Sequence, residues 1–330
     1  MSEIHVLSPG LLTTVQDSGR EGFGPMGVSP SGAADAVALR IGNRLAGNAE
    51  GAAGLEMTLL GGAFQFSQDA TVALTGSDFG ATLDGVPVAE WTSFQAKPGQ
   101  TLRLGPTRSG ARCYLCVQGG IVVKPFLGSA STHLLSGLGG HLGRALRKGD
   151  VLKIGAAKGA FRRWTVAEKS LKKLSPRKVL RVSPGPQSDW FPSAAQQVFF
   201  ESTYRVAEES NRMGLRLEGP PILEGVHGDA RCEALGDSGG SSVGEMISEG
   251  VSLGAVQIAS GGLPIILFVE QQTTGGYAKI ANVISADLHS VGQLRPRDEV
   301  RFELVDFETA RALLLEQEKP LASPDLIIAG

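Results

Sequence analysis

The chain reads Leu263-Pro264-Ile265-Ile266-Leu267-Phe268-Val269 and continues Glu270-Gln271-Gln272-Thr273-Thr274-Gly275-Gly276-Tyr277. An apolar run of this length predicts a buried strand over 263–269. The amides and hydroxyls after it, with two glycines that allow close backbone approach, suit hydrogen bonding to a neutral polar ligand. A simple turn after a core strand is the alternative interpretation, because glycine is the usual turn residue.

Short strands between glycine and proline turns make up most of the remaining sequence. Examples are 71–74, 101–104 and 300–304. Two segments instead have helical spacing of their apolar residues: 31–45, where Ser31 can cap the helix, and 309–317. We therefore predict a mainly β protein with a few short helices.

Composition narrows the classes of function. The net charge of −2 gives no broad positive field that would recruit nucleic acid or a membrane surface. The first residues lack the basic and apolar regions of a signal peptide, and no apolar run approaches the ~20 residues that span a bilayer. We expect a cytoplasmic protein. The five histidines show no metal-ligand spacing, so metal catalysis is not expected.

The length of 330 residues predicts two domains. Similar segments open the two halves, Val6-Leu7-Ser8-Pro9-Gly10 and Val182-Ser183-Pro184-Gly185, which indicates related β-rich units in tandem. We predict a barrel-like N-terminal domain over 1–160, a basic linker over 161–178 and a C-terminal barrel over 179–330, because closed barrels remove exposed sheet edges. The basic segment is interpreted as a solvated linker with a short helix, with a phosphate-binding surface as the alternative.

The three cysteines show no zinc or disulfide framework. Cys113 and Cys116 lie on a predicted strand, so their thiols point to opposite faces, and no second pair completes a zinc site. We predict that both pack in the core. Cys232 has no partner in the sequence.

Two glycine-rich motifs resemble functional loops of other proteins, one catalytic and one anion-binding. The sequence Gly236-Asp237-Ser238-Gly239-Gly240 matches the nucleophile loop of serine proteases, but no histidine loop or strand–turn–helix pattern accompanies it. A serine nucleophile is therefore not favoured. The loop 136–144 could form an anion nest beside Arg144 and His133, or simply connect two strands. No phosphate-binding P-loop pattern occurs in the chain.

Three polar clusters remain as candidates for a common site. They are Gln16-Asp17-Ser18-Gly19-Arg20, Asn211-Arg212 and Gln271-Gln272-Thr273-Thr274. A capped turn with a local ion pair is the alternative for Asp17 and Arg20. A charge at a barrel rim is the alternative for Arg212.

Several motifs in the same order resemble one protein family. They are Pro9-Gly10-Leu11-Leu12-Thr13-Thr14-Val15-Gln16-Asp17-Ser18-Gly19-Arg20, Gly27-Val28-Ser29-Pro30-Ser31-Gly32-Ala33-Ala34-Asp35, Ser210-Asn211-Arg212-Met213-Gly214-Leu215-Arg216-Leu217, and the stretch around Gln272. The chain resembles, from about Ile4 to Val305, the family of 5-oxoprolinase C subunits, also called KipA or allophanate hydrolase subunit 2. This family is related to the carboxyltransferase domain of urea carboxylase.

The resemblance implies two cyclophilin-like barrels and one component of an ATP-dependent 5-oxoprolinase, which hydrolyses 5-oxo-L-proline to L-glutamate. It implies ATP bound through the complex, no biotin attachment site on this chain, and two partner chains, a KipI-like one and a LamB/YcsF-like one. Two alternatives stay open: a carboxyltransferase or allophanate hydrolase component acting on urea-type amides, and a non-catalytic antagonist of a KipI-like kinase inhibitor.

The resemblance also implies roles for individual residues. Catalytic roles fall to Asp17, Gln272 and Thr273, and substrate-binding roles to Gln16, Arg20, Ser31, Asn211, Arg212, Gln271, Thr274, Gly275 and Gly276. Gln272, Thr273 and the glycine amides could donate to an oxyanion, Arg20 and Arg212 could offset phosphate charge, and Asp17 could orient water or a substrate nitrogen.

The chain departs from the family pattern at three of these positions or their neighbours. Glu270-Gln271 replaces the usual Asp-Arg, and Asn211 replaces the usual Asp. The loss of a cation at Gln271 could alter the preference for substrate charge. The segment 225–245 looks like an insertion relative to the family and is predicted to be a surface loop.

Overall fold

The computed structural model describes residues 2–157, 159–222 and 245–330. It divides into two compact units. The first comprises Met1–Glu21, Ser31–Ser175 and Gln317–Gly330, and the second Gly22–Pro30 and Pro176–Glu316. Each unit draws on separate stretches of the chain. The domain boundaries at 160 and 178 stay a prediction.

Two sheets form the body of the first unit. Their strands are β1 (Glu3–Ser8), β2 (Leu12–Gln16), β3 (Gly54–Thr58), β4 (Ala63–Phe66), β5 (Ala70–Gly76), β6 (Thr82–Leu83), β7 (Val86–Pro87), β8 (Ser93–Ala96), β9 (Thr101–Arg103), β10 (Arg112–Val117), β11 (Ile121–Val122) and β12 (Val151–Ile154). The seven-stranded sheet has the order β11-β12-β1-β4-β9-β6-β7, and the five-stranded sheet the order β2-β3-β10-β5-β8. Side chains of both sheets, such as Phe64 and Leu115, meet in one buried core.

Helix α1 (Ala36–Ala46) covers the outer face of the five-stranded sheet. Its buried side chains, including Leu39 and Leu45, pack on β5 and β10 in a second core. The expectation that Ser31 caps this helix is wrong. The Asp35 carboxylate accepts a hydrogen bond from the Ala38 amide at 2.8 Å, and Ser31 has a left-handed backbone with φ of 54°.

The two cysteines of β10 confirm the expected alternation of faces. Cys113 belongs to the core between the sheets, whereas Cys116 packs beneath α1. Both thiols are buried, and burial raises the pKa of Cys116 to about 12. The pair therefore contributes to packing in two separate cores, as predicted. Cys232 lies outside the described residues.

The second unit contains a closed barrel. The strands of this unit are β14 (Val179–Pro184), β15 (Tyr204–Val206), β16 (Gly214–Glu218), β17 (Glu245–Gly250), β18 (Ala255–Ile258), β19 (Pro264–Leu267), β20 (Thr274–Tyr277), β21 (Lys279–Val283) and β22 (Glu299–Leu304). The barrel order is β14-β21-β18-β19-β16-β15-β22, and a parallel pairing of β14 with β22 closes it. Strands β17 and β20 form a separate two-stranded sheet. The mainly β fold is confirmed.

Aromatic stacking fills one side of the barrel. Helix α3 (Ser193–Glu201) brings Phe199 against Phe302 of β22, with ring centroids 4.5 Å apart, and Tyr204 lies beside both rings. A short helix, α4 (Leu288–Val291), follows β21. The predicted strand over 263–269 is confirmed as β19, a central barrel strand between β16 and β18.

The segment predicted as a linker has secondary structure of its own. It contains strand β13 (Trp164–Val166) and helix α2 (Glu168–Lys173). Strand β13 pairs with β23 (Ile327–Ala329), so residues 317–330 complete the first unit. The predicted second helix is confirmed as α5 (Phe307–Ala322) and is longer than expected. Over the described ranges, no helix is long and apolar enough to cross a membrane.

Candidate functional site

The Asp17 carboxylate organises a polar cluster in the first unit. It lies just after β2 and accepts four hydrogen bonds: from the Ser129 hydroxyl at 2.6 Å, the Ser131 hydroxyl at 2.5 Å, the Ala130 amide at 2.6 Å and the Gly19 amide at 2.8 Å. The donors reach both carboxylate oxygens. The carboxylate therefore fastens the segment 129–131 to the end of β2.

Arg20 and its neighbours extend this cluster. The Arg20 side chain is only 2% exposed; it donates to the Ser31 hydroxyl at 3.0 Å and to the carbonyl of Ser131, and its guanidinium lies 5.5 Å from the Phe126 ring centroid. Gln16 is fully buried and donates to the Thr132 carbonyl at 3.1 Å. The guanidinium of Arg20 is thus engaged inside the protein.

The glycine-rich loop 136–144 packs against the same cluster. A Cβ atom on Gly139, which has φ of +66°, would lie 2.2 Å from the Ser131 carbonyl oxygen. Only glycine permits this approach. The candidate anion-binding side chains are occupied: Arg144 donates to both oxygens of Asp150 at 2.8 and 2.9 Å, and the His133 Nδ1 accepts from the Ser136 amide. The geometry fits a connecting loop.

In the second unit, Arg212 forms a buried ion pair. Its Nε lies 2.5 Å from Oε1 of Glu270, and the two side chains are 4% and 3% exposed. The Asn211 side chain accepts from the Met213 amide at 2.8 Å and thereby shapes the turn before β16. Glu270, which replaces the Asp of the family pattern, is the carboxylate that holds the arginine.

The side chains of Gln257 and Gln272 meet beside Gly275, and that of Gln271 contacts the nearby Val251. Gln272 is exposed and its Nε2 donates to Oε1 of buried Gln257 at 3.4 Å, while the Gln271 Nε2 donates to the Val251 carbonyl at 3.1 Å. The Gln257 Nε2 and Gln271 Oε1 are buried without a hydrogen-bond partner among the described residues. This arrangement concentrates amide donors and acceptors at the start of β20.

An open pocket lies beside these amides. It has a volume of ≈ 280 Å³ and is lined by Met246, Gln272, Gly276 and Tyr277. Two of the predicted site residues, Gln272 and Gly276, therefore face it. Thr273 and Thr274 follow Gln272 on the same stretch, and both are partly or fully exposed. Gln271 and Gly275 lie behind the pocket beside Val251 and Gln257. Of the other predicted residues, Gln16, Arg20 and Ser31 lie with Asp17 in the first unit, and Asn211 and Arg212 precede β16 in the second.

A buried charged group behind this pocket belongs to none of the motifs recognised in the sequence. Lys279 of β21 is 2% exposed, and its Nζ lies 2.7 Å from Oε1 of Glu249 on β17. The Gln187 Nε2 donates to the same oxygen at 2.8 Å. Lysine surrounded by Ala278 and Ile280 in a strand is the one available signal, because an ammonium is buried only with a partner.

The described side chains offer no metal centre. Among residues 2–157, 159–222 and 245–330, no group of three or more His, Cys, Asp or Glu could hold a metal ion. Ser238 of the protease-like motif, and nearly all of the predicted insertion 225–245, lie outside the described residues.

Comparison with known proteins places this barrel-containing β fold in the class of carboxyltransferase domains. The family model for the carboxyltransferase domain, subdomain A and B, matches residues 26–304. The chain belongs to this family. It is 37% identical to the C subunit of 5-oxoprolinase from Escherichia coli over 96% of each chain.

Similarity extends to much larger proteins. The chain is 32% identical to urea amidolyase of Saccharomyces cerevisiae, over 98% of this chain and 18% of that protein. The crystal structure of Kluyveromyces lactis urea amidolyase superimposes with a TM-score of 0.86 at 31% identity, covering 99% of this chain and 21% of the other. The fold thus occurs both as a separate chain and as one segment of a long one.

Proposed function

We propose that this chain is one component of an ATP-dependent 5-oxoprolinase that hydrolyses 5-oxo-L-proline to L-glutamate. The observation that carries the proposal is the 37% identity to the 5-oxoprolinase C subunit, in a match that covers 96% of this chain and 96% of that protein. The urea amidolyase relative, by contrast, has this fold in 18% of its length.

The pocket of the second unit fits an amide ligand. Gln272 carries two donors and one acceptor, so it can pair with the carbonyl and the N–H of a lactam. Backbone amides at Gly275 and Gly276, with the Thr273 hydroxyl, can donate to the oxyanion that develops when the lactam carbonyl is attacked. These groups bind and polarise an amide without supplying a nucleophile.

We propose that ATP binds elsewhere in the complex and not at Arg20 or Arg212 of this chain. Arg20 and Arg212, the candidate cations for phosphate, are almost fully buried and engaged by Ser131 and Glu270. We therefore propose that partner chains of the KipI-like and LamB/YcsF-like types bind the nucleotide and complete the site. The reaction needs activation of the amide carbonyl by ATP and then entry of water.

Reconstitution tests this proposal. The chain alone should neither hydrolyse ATP nor open 5-oxo-L-proline, whereas the chain with both partner types should release glutamate and ADP in step. Co-expression with a KipI-like protein followed by size exclusion should give one joint peak. Turnover by the isolated chain, or separate peaks at micromolar concentration, would contradict the proposal.

A carboxyltransferase component acting on urea-type amides is the second candidate. The superposition on urea amidolyase at a TM-score of 0.86 favours it. It predicts that the chain, supplied with a biotin carboxylase and a biotinylated carrier, carboxylates urea, and that 5-oxo-L-proline does not compete. The two candidates are separated by which amide is consumed.

A further inference from the structure

The Glu249 carboxylate is held asymmetrically beside the pocket. Both of its protein donors, the Lys279 ammonium and the Gln187 amide, reach the same oxygen, Oε1. Its side chain is 42% exposed, whereas Lys279 is 2% exposed. Within the described ranges, Oε2 receives no protein hydrogen bond. Because a carboxylate oxygen has two acceptor positions, Oε2 remains able to accept from a bound molecule.

Lys279 connects this carboxylate to the pocket lining. Its Nζ lies 3.3 Å from the Tyr277 carbonyl oxygen and 3.7 Å from the Met246 Sδ, and both residues line the pocket. Across the two-stranded sheet, Glu249 pairs with Gly275, the neighbour of pocket-lining Gly276. The Lys279 ammonium therefore joins the Glu249 carboxylate to two of the residues that line the pocket.

The same contacts fix the protonation state of Glu249. Hydrogen bonds from Lys279 and Gln187 lower the pKa of its carboxyl group. An ionised carboxylate only accepts hydrogen bonds. A lysine buried solely for packing would be costly, so its burial is explained by holding a carboxylate in one orientation.

We propose, resting on the amide-binding function above, that Glu249 Oε2 accepts the N–H of the amide ligand in this pocket. Lys279 and Gln187 are positioning residues that hold the carboxylate. The lactam edge presents an N–H next to a carbonyl, so Glu249 takes the N–H while Gln272 and the glycine amides face the carbonyl. The ligand's own carboxylate points away from Glu249, because like charges repel.

This arrangement selects ligands by their N–H. A site built to accept an N–H rejects an analogue without one, because the bound analogue covers the acceptor oxygen and leaves it unpaired. The matched analogue of 5-oxo-L-proline is 3-oxocyclopentane-1-carboxylate, in which CH₂ replaces the ring N–H. The carbonyl oxygen, the ring size and the carboxylate are retained.

The test is a cycle between this substitution in the ligand and Glu249→Gln in the protein. Dissociation constants for both ligands are measured by calorimetry or by competition on the assembled complex. Wild type should prefer the lactam roughly 10–100-fold, the scale of a hydrogen bond to a charged group. Glu249→Gln should lose most of that preference and bind the ketone within about twofold of wild type.

A matched control is available in the same unit. Glu208 pairs with Arg297 on the surface, with a side chain 60% exposed, so Glu208→Gln should leave both dissociation constants unchanged. Thermal melts of Glu249→Gln show whether the fold is retained. The wild-type comparison of the two ligands needs no variant, and equal affinity for lactam and ketone would overturn the proposal. So would an equal loss of both ligands in Glu249→Gln.

A second pair of ligands separates a wrong 5-oxoprolinase assignment from a wrong N–H contact. If wild type does not bind 5-oxo-L-proline, the same measurements are made with 2-pyrrolidinone and cyclopentanone, which lack the carboxylate. A preference for 2-pyrrolidinone that depends on Glu249 supports the N–H contact and rejects the substrate assignment alone. No preference between these two rejects the contact as well.

Discussion

Two carboxylates, one in each unit, are held in opposite ways. Asp17 accepts four protein hydrogen bonds over both oxygens, and three of the four donors belong to the segment 129–131 that it fastens. Glu249 accepts two, both on one oxygen, and stays partly exposed beside a pocket. The residue type is acidic in both cases. The number and placement of protein donors determine whether a carboxylate remains available to a ligand.

The largest effect is expected from Asp17→Ala. It leaves four donors around a partly buried site unpaired, so the free energy of unfolding should fall by about 3 kcal/mol. Asp69→Ala is the control, because Asp69 forms an exposed pair with Lys97 and should cost less than about 0.5 kcal/mol. Urea unfolding measures both. If Asp17→Ala kept full stability and lost only activity, Asp17 would act in catalysis. The distinction between a structural Asp17 and a ligand-binding Glu249 would then be wrong.

Gln272→Ala should instead affect function. Its side chain is exposed and makes one long hydrogen bond, so the melting temperature should stay within error of wild type. Activity of the complex should fall by roughly 10²-fold, the scale of losing one donor to an oxyanion. Gln197→Ala on the exposed face of α3 is the control. An unchanged rate for Gln272→Ala would remove this residue from the site.

Gly275→Ala is a smaller change, placed beside the side-chain amides of Gln257 and Gln272. The added Cβ would lie 2.5 Å from the Gln257 Nε2 and 2.8 Å from the Gln272 Nε2, the movable ends of two side chains. We expect a loss of stability of about 1 kcal/mol and an activity loss of roughly tenfold. Gly261→Ala meets no atom within 4 Å and serves as the control. Steady-state rates and thermal melts of both variants measure these effects. Equal rates for Gly275→Ala and Gly261→Ala would show that the Gln257 and Gln272 amides do not take part in the reaction.

The smallest effect is expected from a third carboxylate, Glu90, which accepts a hydrogen bond from the Phe79 amide at 3.2 Å but is influenced most by burial. Burial, and then a hydrogen bond with Asp78, raise the pKa of Glu90 to about 7. The folded state therefore binds this proton more tightly than the unfolded chain, whose value is 4.5. The resulting stabilisation is complete below the unfolded pKa and is lost as the pH rises through the folded one.

Wild type should thus lose stability relative to Glu90→Gln between about pH 5 and about pH 8, by less than about 1 kcal/mol because solvent screens a partly exposed group. Melting curves of the two proteins at both pH values measure the difference. Parallel pH dependence in wild type and variant would show that Glu90 titrates normally.

Regular patterns in the sequence were enough to predict much of the fold. The apolar run before Glu270 became β19, and the alternation in β10 placed Cys113 and Cys116 in different cores. Helix α1 was also expected, but its start was not. The backbone at Ser31 is left-handed. Nothing in the sequence indicated this conformation, because serine is a common N-cap residue.

The candidate site was harder to predict, because its contacts join distant parts of the chain. Gln272, one of the residues that line the pocket, was predicted because it follows a strand and precedes two glycines. Lys279 was not, because its partner Glu249 lies on another strand and a single lysine in a strand usually faces solvent. Arg20 resembled an open cation, yet it contacts the Ser131 carbonyl, which only the folded chain brings near.

The late position of residues 317–330 affects how the first unit is made in the cell. Leu321 and Leu326 pack against the α1 core, and Glu318 holds Arg40 of that helix at 2.7 and 2.8 Å. The ribosome must first translate 176–316, which takes on the order of 10 s at roughly 5–20 residues per second. During that interval the part of the α1 core that Leu321 and Leu326 cover stays open, so the first unit completes its core only after residue 326 has been made.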